Sequence, residues 1–294
     1  MPLLLSPPST TCPHAFLSPP APPMPLPRLS PLHIRRRLAS LAVAAAVRQD
    51  TIVWTPALLS EVEPAAASLF HISVDVSDSS ELAGSHNRPG QYLQLRVPDA
   101  PKPSFLAIAS PPSLAASTGR FEFLVKSVEG TTAEALCALK RGDVVELSPV
   151  MGKGFDIARI DPPKDYPTVF IFATGSGISP IRSLIESGFS ADKRSDVRLY
   201  YGVRNLQRMA YQDRFKTWES SGVKIVPVLS QPDDGWTGET GYVQAAFSRA
   251  KKAFTPMSTG AVLCGQKQMT EDLRATRIGG LCRLKFGAAC DELR

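Results

Sequence analysis

The sequence predicts a β + α/β chain: a six-stranded antiparallel β-barrel, then a doubly wound parallel-sheet nucleotide-binding domain. Three observations predict it. Between Thr51 and Leu147, short apolar runs recur with polar residues alternating along several of them. From Thr168 onward, strand-like and helix-like segments alternate instead. And one stretch, Val169 to Leu184 (VFIFATGSGISPIRSL), runs from a buried strand through two glycines into a helical apolar stripe.

Residues 1–49 fall outside both units. Pro7-Pro8, Pro19-Pro20 and Pro22-Pro23 preclude regular helix or strand. The segment carries five arginines (Arg28, Arg35, Arg36, Arg37 and Arg48) and no Asp or Glu. That composition, ending in an apolar run from Leu38 to Val47 too short to span a bilayer, is that of an organelle transit peptide. The proline- and serine-rich start, with no early basic amphipathic helix, points to the chloroplast stroma, with the mitochondrion as the alternative.

Residues 50–160 hold the expected barrel. The strands are Thr51–Trp54, Leu69–Val76, Tyr92–Val97, Phe105–Ala109, Phe121–Val128 and Val144–Leu147, the number and spacing of a small barrel or sandwich. Arg88-Pro89-Gly90 is a turn before the third, and Pro111-Pro112 ends the fourth. One helix interrupts them. Thr131 and Glu134 open it with capping-box spacing, Leu136 and Leu139 form its inner face, and Arg141-Gly142-Asp143 ends it.

The linker Asp161-Pro162-Pro163-Lys164-Asp165 leads into residues 161–271. The expected order is strand 168–172, helix 179–187, strand 197–202, helix 208–219, strand 223–229, helix 243–253 and strand 261–264. Parallel sheets of this kind bind ligands beyond the carboxyl ends of their strands. The loops there are 173–180, Tyr201-Gly202-Val203-Arg204, Ser230-Gln231-Pro232 and Cys264-Gly265-Gln266. In the first loop the two glycines let the backbone come close to an anion. Ser179 stands where a helix cap belongs and Pro180 where a first helical residue belongs. Free helix N–H groups and the helix dipole then favour a phosphate. The plain alternative is a tight strand–helix turn of any α/β protein. The loop is neither Gly-x-Gly-x-x-Gly nor a P-loop.

Composition excludes other classes. The net charge is +6, but without residues 1–49 the balance is 28 basic against 27 acidic side chains, so no nucleic-acid footprint remains. The five cysteines, Cys12, Cys137, Cys264, Cys282 and Cys290, form no CxxC pair and no metal set, and read as free thiols in a reducing compartment. No segment reads as a membrane span. Residues 272–294 show little periodicity, and Gly279-Gly280 and Gly287 break any helix. Cys282 and Cys290 alone do not make a Cys₄ iron–sulfur site.

Several ordered motifs over about residues 51–270 resemble the ferredoxin–NADP reductase family. Arg88-Pro89-Gly90-Gln91-Tyr92 looks like its Pro-Gly-Gln-Tyr strand start, and Ile108-Ala109-Ser110 like the end of its flavin motif. Gly142-Asp143 with Ser148–Phe155 resembles its Gly-Asp … Gly-Pro-x-Gly-x-x-Phe segment. Thr174-Gly175-Ser176-Gly177-Ile178-Ser179-Pro180 matches its Thr-Gly-x-Gly-Ile-(Ala/Ser)-Pro nucleotide loop. Tyr201–Arg204 and Cys264-Gly265-Gln266 resemble two further nucleotide-side loops. Singly each is weak; in this order they are strong. The overall pattern is similar to a plant branch first named as a fruit protein.

The resemblance implies a flavin-dependent oxidoreductase that passes hydride from NAD(P)H to FAD, and electrons on to an unknown acceptor, a small redox protein in other branches. It implies FAD contacts at Ala107, Ile108, Ala109, Ser110, Lys126, Gly130, Thr131 and Thr132. It implies NAD(P) contacts at Thr174 to Pro180, Tyr201, Gly202, Arg204, Ser230, Tyr242, Cys264 and Gly265, with Cys264 against the nicotinamide. For a lone cysteine the bland role is a small buried hydrophobe at a strand end.

The departures from the family pattern bear on the cofactors. Its Arg-x-Tyr-Ser/Thr becomes Ser104-Phe105-Leu106-Ala107, which removes the arginine, tyrosine and hydroxyl that would hold the flavin. Lys102 and Lys126 are possible substitutes, but a point charge does not reproduce the arginine fork. FMN and no flavin are the alternatives to FAD. The Ser-Arg pair that grips a 2′-phosphate becomes Ser230-Gln231, which leans the donor toward NADH. The competing function is a non-catalytic module that binds a nucleotide or a partner after losing its flavin.

Overall fold

The computed structural model describes residues 52–98, 100, 102–250 and 254–274, and the backbone of 280–283. The expected transit peptide therefore lies outside the described residues, as do Cys12 and Cys290.

The barrel strands are β1 (Thr55–Ala66), β2 (Leu69–Asp75), β3 (Tyr92–Arg96), β4 (Ser104–Ala107), β5 (Arg120–Lys126) and β6 (Val144–Leu147). Their order is β4-β3-β6-β1-β2-β5, with every pairing antiparallel. An antiparallel bridge from Ile108 to Phe123 brings the two edges together and closes the barrel. Alternation sets the core: Leu93 and Leu95 of β3 are buried while Tyr92, Gln94 and Arg96 lie half out. With Ile72, Val74, Phe121, Phe123 and Leu147 they fill the interior, each worth roughly 2 kcal/mol in apolar burial.

The first strand differs from the expectation. Residues 52–54 are not strand, and β1 begins at Thr55. Its alternation is weak because it bulges between Leu59 and Glu61 and again between Pro64 and Ala66. Pro112 begins a helix, α2 (Pro112–Thr118), as proline does at a first helical position, and another short helix, α1 (Ser80–Ser85), precedes β3. The expected capping-box helix is α3 (Thr132–Ala138), but Thr131 does not cap it. The Thr131 hydroxyl donates to the Val128 carbonyl, and the Glu134 carboxylate accepts from the Gly130 N–H at 2.8 Å.

The second sheet comprises β7 (Thr168–Thr174), β8 (Asp196–Val203), β9 (Val223–Leu229), β10 (Glu239–Thr240), β11 (Thr259–Cys264) and β12 (Gly280–Arg283). Its order is β10-β9-β8-β7-β11-β12, all parallel. The helices are α4 (Ile178–Glu186), α5 (Phe215–Ser220), α6 (Val243–Arg249) and α7 (Lys267–Arg274). Side chains of β7 alternate between two layers. Val169, Ile171 and Ala173 pack on Ile178, Ile181 and Ile185 of α4, while Phe170 and Phe172 pack on Tyr200 and Phe247. That is the doubly wound arrangement expected.

Two expected elements are reshaped. The helix predicted over 208–219 is broken into two 3₁₀ turns and α5, with Tyr211 at φ 63°. The break follows burial: the Tyr201 hydroxyl accepts from the Ala210 N–H, and the Tyr211 ring is packed inside. The segment after Glu271 is less irregular than predicted. α7 runs to Arg274, and residues 280–283 add β12 beside β11.

The two units share one apolar cluster. Leu69, Leu124 and Phe155 from the barrel side join Ile178, Ile181 and Tyr201. All described residues fall within one compact unit.

Candidate nucleotide site

The chain leaves β7 for α4 on one side and later places β11 on the other. The carboxyl ends of β7 and β11 therefore flank the point where the winding reverses, the place where open α/β sheets hold ligands. Their loops are knitted together. The Thr174 hydroxyl oxygen accepts from the Gln266 N–H at 2.9 Å. Gly177 approaches β11 so closely that a Cβ there would stand 2.5 Å from the Cys264 carbonyl oxygen. A Cβ on Gly265 would stand 2.0 Å from Thr174 Oγ1. Only glycine permits both approaches.

Gly175 to Gly177 form a 3₁₀ turn that runs into α4 at Ile178. The opening amides of such a turn precede any intrahelical acceptor, so they are available to an anion. Gly175 has φ +53° and nothing within 4 Å of the position of a Cβ, so the loop is open on that side. Ser179 does not cap the helix. It is buried within the first turn, and its hydroxyl donates to the Ala107 carbonyl of β4 at 3.2 Å. Pro180 accordingly sits two residues past the helix start and is buried.

The structure brings Thr174, Gly175, Ser176, Gly177, Cys264 and Gly265 together where the two loops meet, with Ile178 fully buried in the core beneath them. Cys264 is only 3 % exposed and packs in the cluster with Ala173 and Ile178, so its side chain belongs to the crevice floor. Arg204 and Ser230 follow β8 and β9 on neighbouring loops. Arg204 is exposed, its carbonyl accepts from the Gln231 N–H at 2.8 Å, and Ser230 donates its N–H to Val203. Tyr242 is exposed just before α6, whose Val243 packs against Gly202. Tyr201 is not a lining residue. It is fully buried, and burial holds its phenol well above the ordinary range.

On the barrel side, Ala107 to Ser110 lie against α4. Ile108, Ala109 and Ser110 are buried, and the Ile108 and Ala109 amides and the Ser110 hydroxyl are engaged. Ile108 donates its N–H to Gln91, Ala109 donates its N–H to Glu122, and the Ser110 hydroxyl accepts from the Glu122 N–H. Gly130 and Thr131 are exposed, Thr132 is buried and donates its hydroxyl to the Lys102 carbonyl, and Lys126 is exposed at the end of β5.

The residues that the sequence reading missed lie on α4 and β5. Ser183 donates to the Ser110 carbonyl at 2.7 Å, and Arg182 pairs with Glu122 of β5. Ser179, Arg182, Ser183 and Glu186 occur at i, i+3, i+4 and i+7, a polar helical face that could have been seen beside the apolar one.

Residues 171–275 match the Oxidoreductase NAD-binding domain family. The chain is 52 % identical over 265 residues to "Fruit protein pKIWI502" of Actinidia deliciosa, covering 86 % of this chain and 84 % of that one. The chain belongs to the ferredoxin–NADP reductase-like oxidoreductase family. It is also 28 % identical over 201 residues to a ferredoxin–NADP reductase B of Sorangium cellulosum, covering 65 % of this chain and 79 % of that one. A ferredoxin NADP+ reductase of Neisseria gonorrhoeae, solved with bound FAD and NADP, shares the fold. Its TM-score is 0.63 at 18 % identity, over 79 % of this chain and 99 % of that one. The crevice between β7 and β11 lies inside the matched NAD-binding domain. Among the described residues no helix is long and apolar enough to cross a membrane, and no cluster of metal-ligating side chains occurs. An open groove of about 390 Å³ lies elsewhere, along Ile225–Pro227, Trp236–Thr240 and Arg249, away from this crevice.

Proposed function

We propose that this member of the family is an NAD(P)H-dependent flavin oxidoreductase that passes electrons on to a small redox protein. One observation carries the reading: the glycine crevice of the NAD-binding domain is tied by Ser179 directly to Ala107, at the end of the barrel strand where the family motif places the flavin. A bound flavin supplies the redox chemistry, taking a hydride from reduced nicotinamide and releasing the electrons to an acceptor. The chain's own part is placement. Gly175 to Gly177 would hold the dinucleotide's diphosphate on the opening amides of the turn, and Cys264 and Gly265 would lie on the nicotinamide side. Ala107, half-buried, and Ile108 to Ser110, buried and held by bonds to Gln91 and Glu122, form a wall on the far side.

On these segments only lysines offer a cation to FAD. Ser104 to Ala107 offer no cation. Lys102, whose carbonyl meets Thr132, and Lys126, exposed at the end of β5, are the lysines that would supply positive charge for its phosphates. The Gly130 amide is already taken by Glu134. That contact supports weaker retention than an arginine fork would give, and it is the observation that favours the competing reading of a nucleotide-binding module without flavin.

The donor we propose is NADH. Ser230 and Gln231 bring no cation to the end of β9, and Asp233 and Asp234 follow, a poor setting for a 2′-phosphate. We place the protein in the chloroplast stroma on the composition of residues 1–49. An import assay with isolated chloroplasts tests that placement.

The visible spectrum of purified protein, before and after anaerobic NADH or NADPH, tests the function. Flavin bands that bleach with NADH at lower concentration than with NADPH are expected. A protein that stays colourless after incubation with FAD and FMN overturns the enzyme reading.

A further inference from the structure

The polar face of α4 is bonded to the barrel at three points. The Arg182 side chain is 3 % exposed, and its Nη2 donates to Glu122 of β5. Arg182 Nε donates to Glu186 one turn on, at 3.1 Å, and the guanidinium lies 5.0 Å above the Tyr211 ring. Glu186 also accepts from Arg214 Nη1 and Trp218 Nε1, each at 3.2 Å. On the barrel side, Glu122 is the backbone partner of the wall. Its carbonyl accepts from the Ala109 N–H at 2.7 Å, and its N–H donates to the Ser110 hydroxyl at 3.1 Å. Ser183 completes the circuit by donating to the Ser110 carbonyl. One residue, Glu122, therefore holds both the 109–110 wall and the helix that the glycine loop leads into.

A purely apolar contact between the two units would resist separation but would tolerate sliding, because burial is non-directional. Hydrogen bonds and a guanidinium–carboxylate pair have fixed geometry, so they set the register. The bonds from Ser179 to Ala107, from Ser183 to Ser110 and from Arg182 to Glu122 all cross from α4 to the barrel within two turns. They fix the distance from the crevice to the wall, the one distance that a transfer between two bound groups depends on.

We propose that Arg182, acting through Glu122, is a positioning residue that sets the register between the nucleotide loop and the Ala107–Ser110 wall. The proposal rests on the function proposed above. Arg182 itself faces Glu122, Glu186 and the Tyr211 ring. The glycine loop is built from β7, β11 and α4, so the loop stays intact when the link to the barrel is weakened. Nucleotide affinity and turnover should therefore separate.

The test uses Arg182→Lys, which keeps the charge and loses the fork, and Ser183→Ala, which deletes one hydroxyl and guards against a folding failure in the first. Three quantities are measured on each: Kd for NADH by fluorescence titration, NADH turnover with ferricyanide, and amide hydrogen exchange at residues 105–110. Both variants should keep Kd within about twofold, while exchange at 105–110 rises and turnover falls by roughly tenfold or more for Arg182→Lys and less for Ser183→Ala. Unchanged exchange, or unchanged turnover with faster exchange, overturns the positioning role. So does a Kd that rises in step with the loss of turnover, since Arg182 would then belong to the nucleotide loop itself. Wild-type protein that binds no NADH overturns the proposed function instead, and the role with it.

Discussion

The crowding at Gly177 and the open space at Gly175 predict different consequences for the same substitution two residues apart. Alanine at 177 would put its Cβ 2.5 Å from the Cys264 carbonyl oxygen and 2.8 Å from the carbonyl carbon. Both neighbours are backbone of β11, so a strand or the loop must shift by about 1 Å to reach ordinary contact. Overpacking of that kind costs about 2 kcal/mol, which for a unit of this size lowers Tm by roughly 6 °C. Alanine at 175 meets nothing within 4 Å but must adopt φ +53°. That costs about 1 kcal/mol, or roughly 3 °C.

Binding should order the two variants the other way for their cost. At a free NADH concentration of about 100 Kd, ligand stabilises the folded protein by about 2.7 kcal/mol. A methyl at 175 occupies the open side where the diphosphate must approach, and a tenfold weaker Kd cuts that stabilisation to about 1.4 kcal/mol. Thermal melts with and without NADH therefore show Gly175→Ala with an unliganded Tm lowered by only about 3 °C and about half the ligand-induced shift. Gly177→Ala shows a clearly lower unliganded Tm. If Gly177→Ala melts with the wild type, the two loops do not pack as described. If Gly175→Ala keeps the full NADH shift, the diphosphate does not lie on this loop.

Other consequences are independent of that loop. His86 is buried against Phe121, and burial lowers its pKa from 6.5 to about 4, so the folded state refuses a proton that the unfolded chain accepts. Stability is thus lost as pH falls from about 6.5 toward 4, by on the order of 3 kcal/mol; His71 is lowered as well, chiefly by burial, and adds in the same direction. Urea unfolding of His86→Leu should lose most of the slope across that window, and an unchanged slope would refute the assignment. Burial pushes the Cys137 thiol up to about 11, so iodoacetamide should alkylate it at pH 8 about a hundredfold more slowly than free cysteine, a rate that mass spectrometry reads. Gln231→Arg places a cation beside Ser230 and should raise the NADPH-to-NADH affinity ratio by about tenfold. An unmoved ratio would place the ribose elsewhere.

The parts of the fold that were legible in the sequence are those where a local period and burial agree. Val223–Leu229 and Val144–Leu147 were predicted at the observed bounds, because each is a short β-rich run closed by turn residues. The strand and glycine turn of β7 were equally plain. β1 was hidden because two bulges and two prolines spoil its alternation. The 208–219 helix failed for a tertiary reason: Tyr201 and Arg182 draw the Ala210–Tyr211 backbone inward, and no helical period encodes that. Ser179 misled in an instructive way. A serine before a proline reads as a helix cap, but its hydroxyl is used across the domain boundary, and only the tertiary partner Ala107 distinguishes the two uses.

The same boundary shows why α4 is polar where it could have been apolar. Residues 178–185 are all buried, yet Ser179, Arg182 and Ser183 carry hydroxyls and a charge into that setting. Burial disfavours the Arg182 guanidinium, but Tyr211, Glu186 and Glu122 outweigh it, and its pKa is held above the ordinary arginine value. Replacing Arg182 alone would strand the largely buried Glu122 and Glu186 carboxylates, so only an exchange of the whole set for well-packed apolar residues could match it in stability. What an apolar residue would not provide is a directional bond to Glu122, whose own backbone fixes Ala109 and Ser110. Adhesion between the units is already supplied by Leu69, Leu124 and Phe155 against Ile178 and Ile181. The polar seam adds orientation to that adhesion, and orientation is what separates two domains that merely stick from two that hold a crevice and a wall at one working distance.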